Sequence, residues 1–582
     1  MQSFFDALQV LGQSPIGGPG SILFANLYGA VIRILLPILA FLILLRCAKS
    51  LLTFRKEPEI WAWLNLPDGN QLPITHWENI IGRNKRSDII IDLPTISRSH
   101  AVLTRYDDGS WTISDIGSKG GISVNGERVE LYALEPGDVI SLGGLEMTLE
   151  PITENQEAYQ TTLRTKAGHQ YHPWLTLLLL SLFQTLMTFQ MLFVSKADDL
   201  FHIALGFGTI FAVQWLLFTF YRIIHRRGYE VETIAFFLST LGMAVIATVA
   251  PNEVVKQLMA MALGLVAFLF VGWSLRDLER AKKIRYLSTA FGLALLAVNL
   301  VFGKEYFGAK NWIELGPFSF QPSELVKICF VFAGASTMDR IVTKRNLFLF
   351  IAYSAIICGC LALMNDFGTA LIFFAAFLVI AYLRSGNFAT IALACAATGF
   401  GGVMVLKFRP HALQRFASWR HVWEVPLAGG YQQTRAMMCI ASGGLLGLGG
   451  GKGWLKYVAA GDTDLVFATV SEEWGLLISI MMVLAVVCLG AFVVRSASVG
   501  RSSFYTIGAC AAISILMIQT ILNVLGTVDL LPLTGVTFPF VSNGGSSMIS
   551  AWGLLAFIKA ADTRQNASFA IRLPSRRRSE DE

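Results

Sequence analysis

Long apolar runs fill most of this chain, while one segment alternates apolar with polar residues, so the pattern alone predicts two kinds of element. A helix needs about 20 predominantly apolar residues to cross a bilayer. Runs of that kind fall at Ile22–Leu45 and then near Pro173–Val194, Leu200–Tyr221, Val231–Ala250, Val254–Leu275, Tyr286–Phe302, Glu324–Val342, Leu347–Met364, Thr369–Leu383, Phe388–Leu406, Trp474–Val494, Phe504–Val524 and Ser546–Ala561. From Trp61 to Glu150 the runs shorten. Ile89–Ile91, Ala101–Thr104, Trp111–Ile113 and Met147–Leu149 read as strands, with Asp107-Asp108-Gly109 and Asn125-Gly126 as turns. The expected fold class is a polytopic α-helical membrane protein, about 12 spans plus one N-terminal anchor span, carrying an all-β sandwich. The expected divisions are an anchor at 1–56, the sandwich at 57–151, a linker at 152–172, a membrane core at 173–562 and a charged tail at 563–582.

Composition agrees, since 54% hydrophobic against 15% charged residues places the chain among membrane proteins. The net charge of +6 is not gathered into a patch that nucleic acid would need. Basic residues recur instead at every second junction: Arg222, Arg226 and Arg227; Arg276, Arg280, Lys282 and Lys283; Arg340, Lys344 and Arg345; Arg384; Arg495 and Arg501; Arg576 to Arg578. This is a topological signal, and it predicts a cytoplasmic sandwich and tail with the long polar loop after Leu406 outside. The first span has no Lys or Arg before Arg33 but is followed by Arg46, Lys49, Arg55 and Lys56, the reverse of a signal peptide. The 8 cysteines lie almost wholly within apolar runs, with neither metal-ligand spacing nor a disulfide framework.

Within the sandwich, four short motifs stand in order: Gly82-Arg83, Ser97-Arg98-Ser99-His100, Asp115 to Gly121 with Val124-Asn125-Gly126, and Gly137-Asp138-Val139-Ile140. Together they resemble a forkhead-associated (FHA) domain, and the resemblance covers the whole segment. It implies binding of a phosphothreonine-containing protein, with Arg83, Ser97 and Arg98 as the phosphopeptide-binding residues and His100 as a brace. A guanidinium offers the bidentate hydrogen bonds that phosphate takes. Gly120-Gly121-Ile122 stands where that family has Asn-Gly-Thr, so plain docking without phosphate is the competing reading.

Chemistry outside the sandwich concentrates in four polar stretches. The longest, Phe408 to Gly475, holds Arg415, Trp419, Tyr431-Gln432, a glycine run from Gly443, Asp462-Thr463-Asp464 and Glu472-Glu473. Carboxylates beside hydrocarbon are expensive unless solvated, paired or functional, which makes Asp464 the leading catalytic candidate and a loop cap its bland alternative. Glu472 and Glu473 read as a helix-opening pair. The other stretches are Gly308 to Lys327, Asn365 to Ala370 and Leu531 to Ser547. The prolines and glycines of the last forbid continuous helix and suit backbone that lines a cavity. Gly447 to Gly453 mimics a phosphate loop, but Lys452 is followed by Gly, so close packing or a re-entrant turn is the better reading. His411 and His421 lack metal-ligand spacing.

These four stretches, from about Gly303 to the last span, resemble the SEDS family, named for shape, elongation, division and sporulation. That resemblance implies a peptidoglycan glycosyltransferase polymerising lipid II on the outer face of the bacterial cytoplasmic membrane, partnered by a class B penicillin-binding transpeptidase. By the same resemblance Asp464 takes the place of the essential loop aspartate, and Lys310, Trp312, Glu324, Lys327, Asp366 and Ser546 fall on the family's motifs; with Arg415 and Ser542 these are the expected substrate-binding residues. Asp366 reads equally well as a structural acid. The family's Pro-Glu before the catalytic acid is Ala459-Ala460 here, which removes a second carboxylate. Joining a sugar hydroxyl to an anomeric carbon asks for a base at the hydroxyl and cations at the departing diphosphate. Lys310, Lys327, Arg415 and Lys452 are candidates for the latter, as is a divalent cation, Mg2+ or Mn2+. Competing readings are a flippase for the lipid-linked precursor and a phosphothreonine-reading membrane scaffold.

Overall fold

The computed structural model describes residues 19–53, 59–85, 87–106, 109–153, 155–156, 172–276, 278–306, 308–316, 318–336, 344–385, 388–408, 417–500, 502–564 and 567–568. Arg415, the Asp107-Asp108 turn and the basic tail lie outside these residues.

The alternating segment forms two sheets. Its strands are β1 (Ala62–Asn65), β2 (Gln71–Ile74), β3 (Glu78–Gly82), β4 (Ile89–Ile90), β5 (Ala101–Arg105), β6 (Trp111–Asp115), β7 (Ile122–Val124), β8 (Glu127–Val129), β9 (Leu131–Leu134), β10 (Val139–Leu142) and β11 (Leu145–Pro151). One sheet runs β2-β1-β11-β10-β7-β8 and the other β4-β3-β5-β6-β9, with only the β3–β4 pair parallel. Leu64, Ile81, Leu103, Ile113, Ile122, Ile140, Leu142 and Met147 are buried between them, as a period of two requires. Asn125 and Gly126, with φ of 53° and 86°, make the two-residue turn from β7 to β8.

Among the described residues each predicted span is helical, the one expected from Glu324 being described as far as Ser336. The helices are α1 (Pro19–Leu52), α2 (Pro173–Val194), α3 (Leu200–Ile223), α4 (Glu230–Val249), α5 (Val254–Leu275), α6 (Leu278–Phe302), α7 (Pro322–Ser336), α8 (Lys344–Leu363), α9 (Phe367–Ser385), α10 (Phe388–Phe408), α11 (Tyr431–Gly443), α12 (Val466–Trp474), α13 (Leu476–Ala497), α14 (Ser503–Thr527) and α15 (Gly545–Ala560). Among the described residues, 8 helices are long and apolar enough to cross a membrane, and two shorter apolar ones lie within α8 and α9. A small antiparallel sheet, β12 (Lys304–Tyr306), β13 (Ala309–Leu315) and β14 (Phe318–Phe320), lies between α6 and α7.

The span expected to begin at Trp474 begins instead at Leu476. Gly475, at φ 91°, breaks the chain so that Trp474 closes the separate short helix α12. Glu472 and Glu473 therefore end a helix rather than open one.

The centre of the membrane core is Trp552 of α15, fully buried and met edge-on by Phe236, Phe268 and Phe540. A Cβ at Gly264 of α5 would lie 2.9 Å from the Trp552 ring, so glycine there lets the two helices close up. The bundle end nearest the last turn of α1 is pinned by buried ions. Lys559 pairs with Glu232 at 3.1 Å, Arg564 pairs with Glu230 and Asp562, and Ser50 donates to Glu230. Buried charges persist in such a place because they are paired.

Candidate functional site around Asp464

The polar loop after α11 folds on glycines. A Cβ at Gly443 would overlap the Ser471 carbonyl oxygen, and one at Gly447 the Glu473 carbonyl oxygen. That closeness permits a backbone exchange: Leu448 N and Gly449 N donate to the Glu472 and Glu473 carbonyls, while Leu476 N and Leu477 N donate to those of Gly444 and Leu445. The glycine run is thus a packing device. Glu472 is buried, and its carboxylate accepts from Trp454 N at 2.8 Å and Leu455 N at 2.9 Å, capping the turn Leu455–Tyr457. Glu473 is buried beside it. Burial is the main reason its carboxyl is pushed up to about 7, with the Gly451 backbone and Lys456 pulling it back.

Asp464 lies in the turn before α12. Thr463 N and Leu465 N both donate to the Ala460 carbonyl, and Ala460 itself sits at φ 64°, a left-handed conformation that costs a residue with a Cβ roughly 1 kcal/mol or more. The turn holds because its next carbonyls are taken in sequence by other elements. Asn543 N donates to the Asp462 carbonyl at 2.9 Å, Ser542 Oγ to the Thr463 carbonyl at 2.6 Å, and Asn523 Nδ2 to the Asp464 carbonyl at 2.9 Å. Asn543 Nδ2 also donates to the Asp462 carboxylate at 2.8 Å.

With its main chain immobilised, the Asp464 side chain opens onto a cavity of about 220 Å³ lined by Ser418, Gly429, Gln432, Gln433, Ala460, Leu533 and Gly535. The site is a half-buried acid, held by its main chain, at a hollow with both polar and apolar walls.

The other predicted residues fall nearby in the fold but into different settings. Asp366 caps α9: its Oδ1 accepts from Thr369 N, and its Oδ2 from Asn311 Nδ2 and Gln321 Nε2, both at 3.2 Å. The next glycine along, Gly368, abuts the Thr534 carbonyl in the loop that also carries Gly535, so this cap and Asp464 share one end of the bundle. Lys310 and Trp312 lie on β13, with the Lys310 ammonium donating to the Leu300 carbonyl at 2.8 Å. Glu324 and Lys327 meet each other at 2.7 Å in the first turns of α7, both buried. Ser546 is buried and accepts from Gln321 N. Ser542 is buried too, donating to Thr463 and accepting from Phe538 N, so its hydroxyl is engaged as a brace rather than presented to the cavity.

Asn523, Gln433 and Asp529 were missed by pattern reading. Gln433 Nε2 donates to the Gly526 carbonyl and to Asp529 Oδ1, tying α11 to the end of α14. For Asn523 the available signal was an amide inside an otherwise apolar span, which is rarely there without a partner to hold. Among the described residues no group of three or more His, Cys, Asp or Glu side chains could hold a metal ion.

In the sandwich, His100 is buried as a brace, accepting from Ser97 N through Nδ1 and lying 2.9 Å from the Gly121 carbonyl through Nε2. Arg83 N donates to the Ser97 carbonyl, Asn84 N to the Arg98 carbonyl and Lys119 N to Ser97 Oγ. Arg83, Ser97 and Arg98 are therefore brought to one rim, with both guanidinium residues exposed.

Residues 233–567 match the family model for the cell cycle proteins FtsW, RodA and SpoVE, and residues 79–143 match the FHA domain. The peptidoglycan glycosyltransferase RodA of Mycobacterium tuberculosis is 31% identical over 324 residues, 52% of this chain and 69% of its own. A probable peptidoglycan glycosyltransferase FtsW of Wigglesworthia glossinidia brevipalpis is 31% identical over 304 residues, covering 50% and 77%. In a solved peptidoglycan synthase complex, one chain matches 57% of this protein and 96% of itself at 24% identity, with a TM-score of 0.47.

Proposed function

Because the chain belongs to the FtsW/RodA/SpoVE family of cell cycle proteins, we propose that it is a peptidoglycan glycosyltransferase in which Asp464 is the general base and lipid II the substrate. The observation that carries the catalytic assignment is a carboxylate residue lining the cavity whose main chain is pinned at three successive carbonyls. An acid that must take a proton only as a bond forms gains from being held still.

In the reaction, the acceptor sugar's hydroxyl oxygen bonds to the anomeric carbon of the donor. The bond from that carbon to the diphosphate oxygen breaks, and the hydroxyl proton passes to Asp464. The cavity is smaller than the roughly 300–1,000 Å³ of a pocket that swallows a whole ligand, which suits one acceptor sugar with its lipid left outside. Lys310 and Lys327 are already engaged, which leaves Lys452, exposed on the loop that carries Asp464, as the cation for the diphosphate among the described candidates.

One helix supports the orientation. The sandwich meets α14 at Ser502 and Ser503 and Asp464 meets it at Asn523, 20 residues past Ser503 or about 30 Å along the axis, a separation that matches opposite faces of the membrane. The basic junctions favour a cytoplasmic sandwich. There it reads a phosphothreonine-containing protein through Arg83, Ser97 and Arg98, and outside a class B penicillin-binding transpeptidase cross-links the product.

The test is polymer formation from labelled lipid II by the purified protein in lipid nanodiscs. Asp464→Asn keeps the shape and removes the base, so it should abolish polymer while leaving the melting curve unchanged. Polymer at near wild-type rate from that variant rules out Asp464 as the base.

A further inference from the structure

α14 is gripped at both ends by elements that the proposed function gives separate tasks. At its start Ser502 is the N-cap: its hydroxyl accepts from Phe504 N at 3.2 Å and donates to Glu78 Oε1 of the sandwich at 2.8 Å. Ser503 N, one of the donors a helix start leaves unpaired, donates to Glu78 Oε2 at 3.0 Å. Glu78 is only 4% exposed, so water neither screens nor replaces these bonds. A carboxylate at a helix N-terminus also meets the positive end of the helix dipole. Beside it Trp77 packs edge-on against Tyr505 at 6.3 Å, and the Tyr505 hydroxyl donates to the carbonyl of Leu275, the last residue of α5.

Both ends of this contact lead to a site. Glu78 is the first residue of β3, whose last residue, Gly82, precedes Arg83; five strand residues of roughly 3.4 Å each separate dock and phosphate rim by about 17 Å. A Cβ at Gly82 would collide with the Arg98 carbonyl, so the strand end is packed directly under that rim. From the other side of the dock, α14 runs to Asn523, which donates to the carbonyls of Asp464 at 2.9 Å and Val536 at 2.8 Å.

We propose that Glu78 is a positioning residue for the transferase reaction: it seats α14 so that Asn523 holds Asp464 in place, and phosphothreonine binding at the β3 rim sets the polymerisation rate through this strand and helix. The proposal rests on the glycosyltransferase and phosphothreonine readings above. A strand and a helix are stiff along their axes, so a shift of the sandwich transmits to the far helix end as a displacement rather than being absorbed. A misplacement of 1 Å at a catalytic group costs on the order of 100-fold in rate. The basic rim alone would make the sandwich a tether for a partner; the buried Glu78 contact is what adds control of the enzyme.

The experiment uses the full chain in nanodiscs, comparing wild type, Glu78→Ala and Glu78→Gln. It reads the polymerisation rate against lipid II concentration and hydrogen exchange of residues 459–465, each with and without a phosphothreonine peptide selected on the wild-type protein from a degenerate library. For Glu78→Ala we expect kcat to fall about fivefold or more, as typical coupling energies give, with KM within twofold, faster exchange at 459–465 and no response to the peptide. Glu78→Gln, which keeps one acceptor, should fall between. Wild-type kcat and wild-type exchange at 459–465 in Glu78→Ala overturn the proposal, as does a loss of activity with exchange there unchanged. If Glu78→Ala does not fold, Ser502→Ala carries the same comparison from the helix side. Wild-type protein that polymerises but binds no phosphopeptide removes the regulatory half and leaves Glu78 to be judged on rate and exchange. Wild-type protein that makes no polymer refutes the enzymatic reading itself.

Discussion

Replacing Asn523 with Ala should loosen the catalytic turn without dismantling the fold. Asn523 is 2% exposed and stands four residues before the end of α14. Among the described residues its Oδ1 has no partner, so the work of the amide is donation, to Asp464 and to Val536. Each such bond is worth a net of about 0.5–1.5 kcal/mol. Losing both therefore costs about 1–3 kcal/mol, and if the whole cost falls on the transition state the rate drops about 5- to 150-fold, at 1.36 kcal/mol per factor of ten. Asn523→Asp should be worse, because a carboxylate would face two carbonyl oxygens with nothing to donate. The assay is initial-rate polymerisation of lipid II, with melting temperature measured on the same samples. A fall in kcat with the melt displaced only slightly is the expected result. A wild-type rate in Asn523→Ala would refute the claim that this amide positions the acid, and a rate loss no greater than the loss of folded protein would reduce it to a stability effect.

Three further outcomes are expected. A membrane-impermeant thiol reagent applied to intact cells should label Cys at Tyr457, which is 73% exposed, but not at Ser110 of the sandwich; the opposite labelling would invert the topology. Glu473, held protonated by burial up to about 7, binds its proton more tightly folded than unfolded, so stability should fall as pH rises from about 4.5 to about 7. Glu473→Gln should flatten that melting-temperature profile and be the more stable protein at pH 7.5, whereas an unchanged slope would locate the titration elsewhere. In the buried Glu324–Lys327 pair, Lys327→Met leaves a buried carboxylate alone and should cost about 3–5 kcal/mol. The double replacement with Met at both positions should recover most of that loss in folded yield, and equal damage from single and double variants would argue against an ion pair.

Much of the architecture was legible in the linear pattern because its determinants are local. A bilayer demands long apolar helices, and a sandwich demands period-two alternation with turn residues, so most of the expected spans and the four expected strands fell where hydropathy put them. The place of Asp464 in a turn facing a hollow was legible as a candidate, since a carboxylate in a polar loop beside apolar spans asks for a reason, and Asn125-Gly126 could only be a tight turn.

The tertiary structure decided what each polar group is for. Glu472 and Glu473 looked like the start of a helix because acids favour helix starts, but Gly475 breaks the chain and Glu472 instead caps a turn 17 residues away. Ser542 looked like a substrate contact, yet its hydroxyl is spent on the Thr463 carbonyl from a loop 79 residues distant. Glu78 drew no reading from the sequence, and only folding brings it to Ser502, 424 residues on. Hydrogen bonds saturate: a donor or acceptor used within the fold is withdrawn from substrate. Which ones are used depends on partners that chain order does not reveal, whereas apolar burial depends on little more than the residue itself and its period.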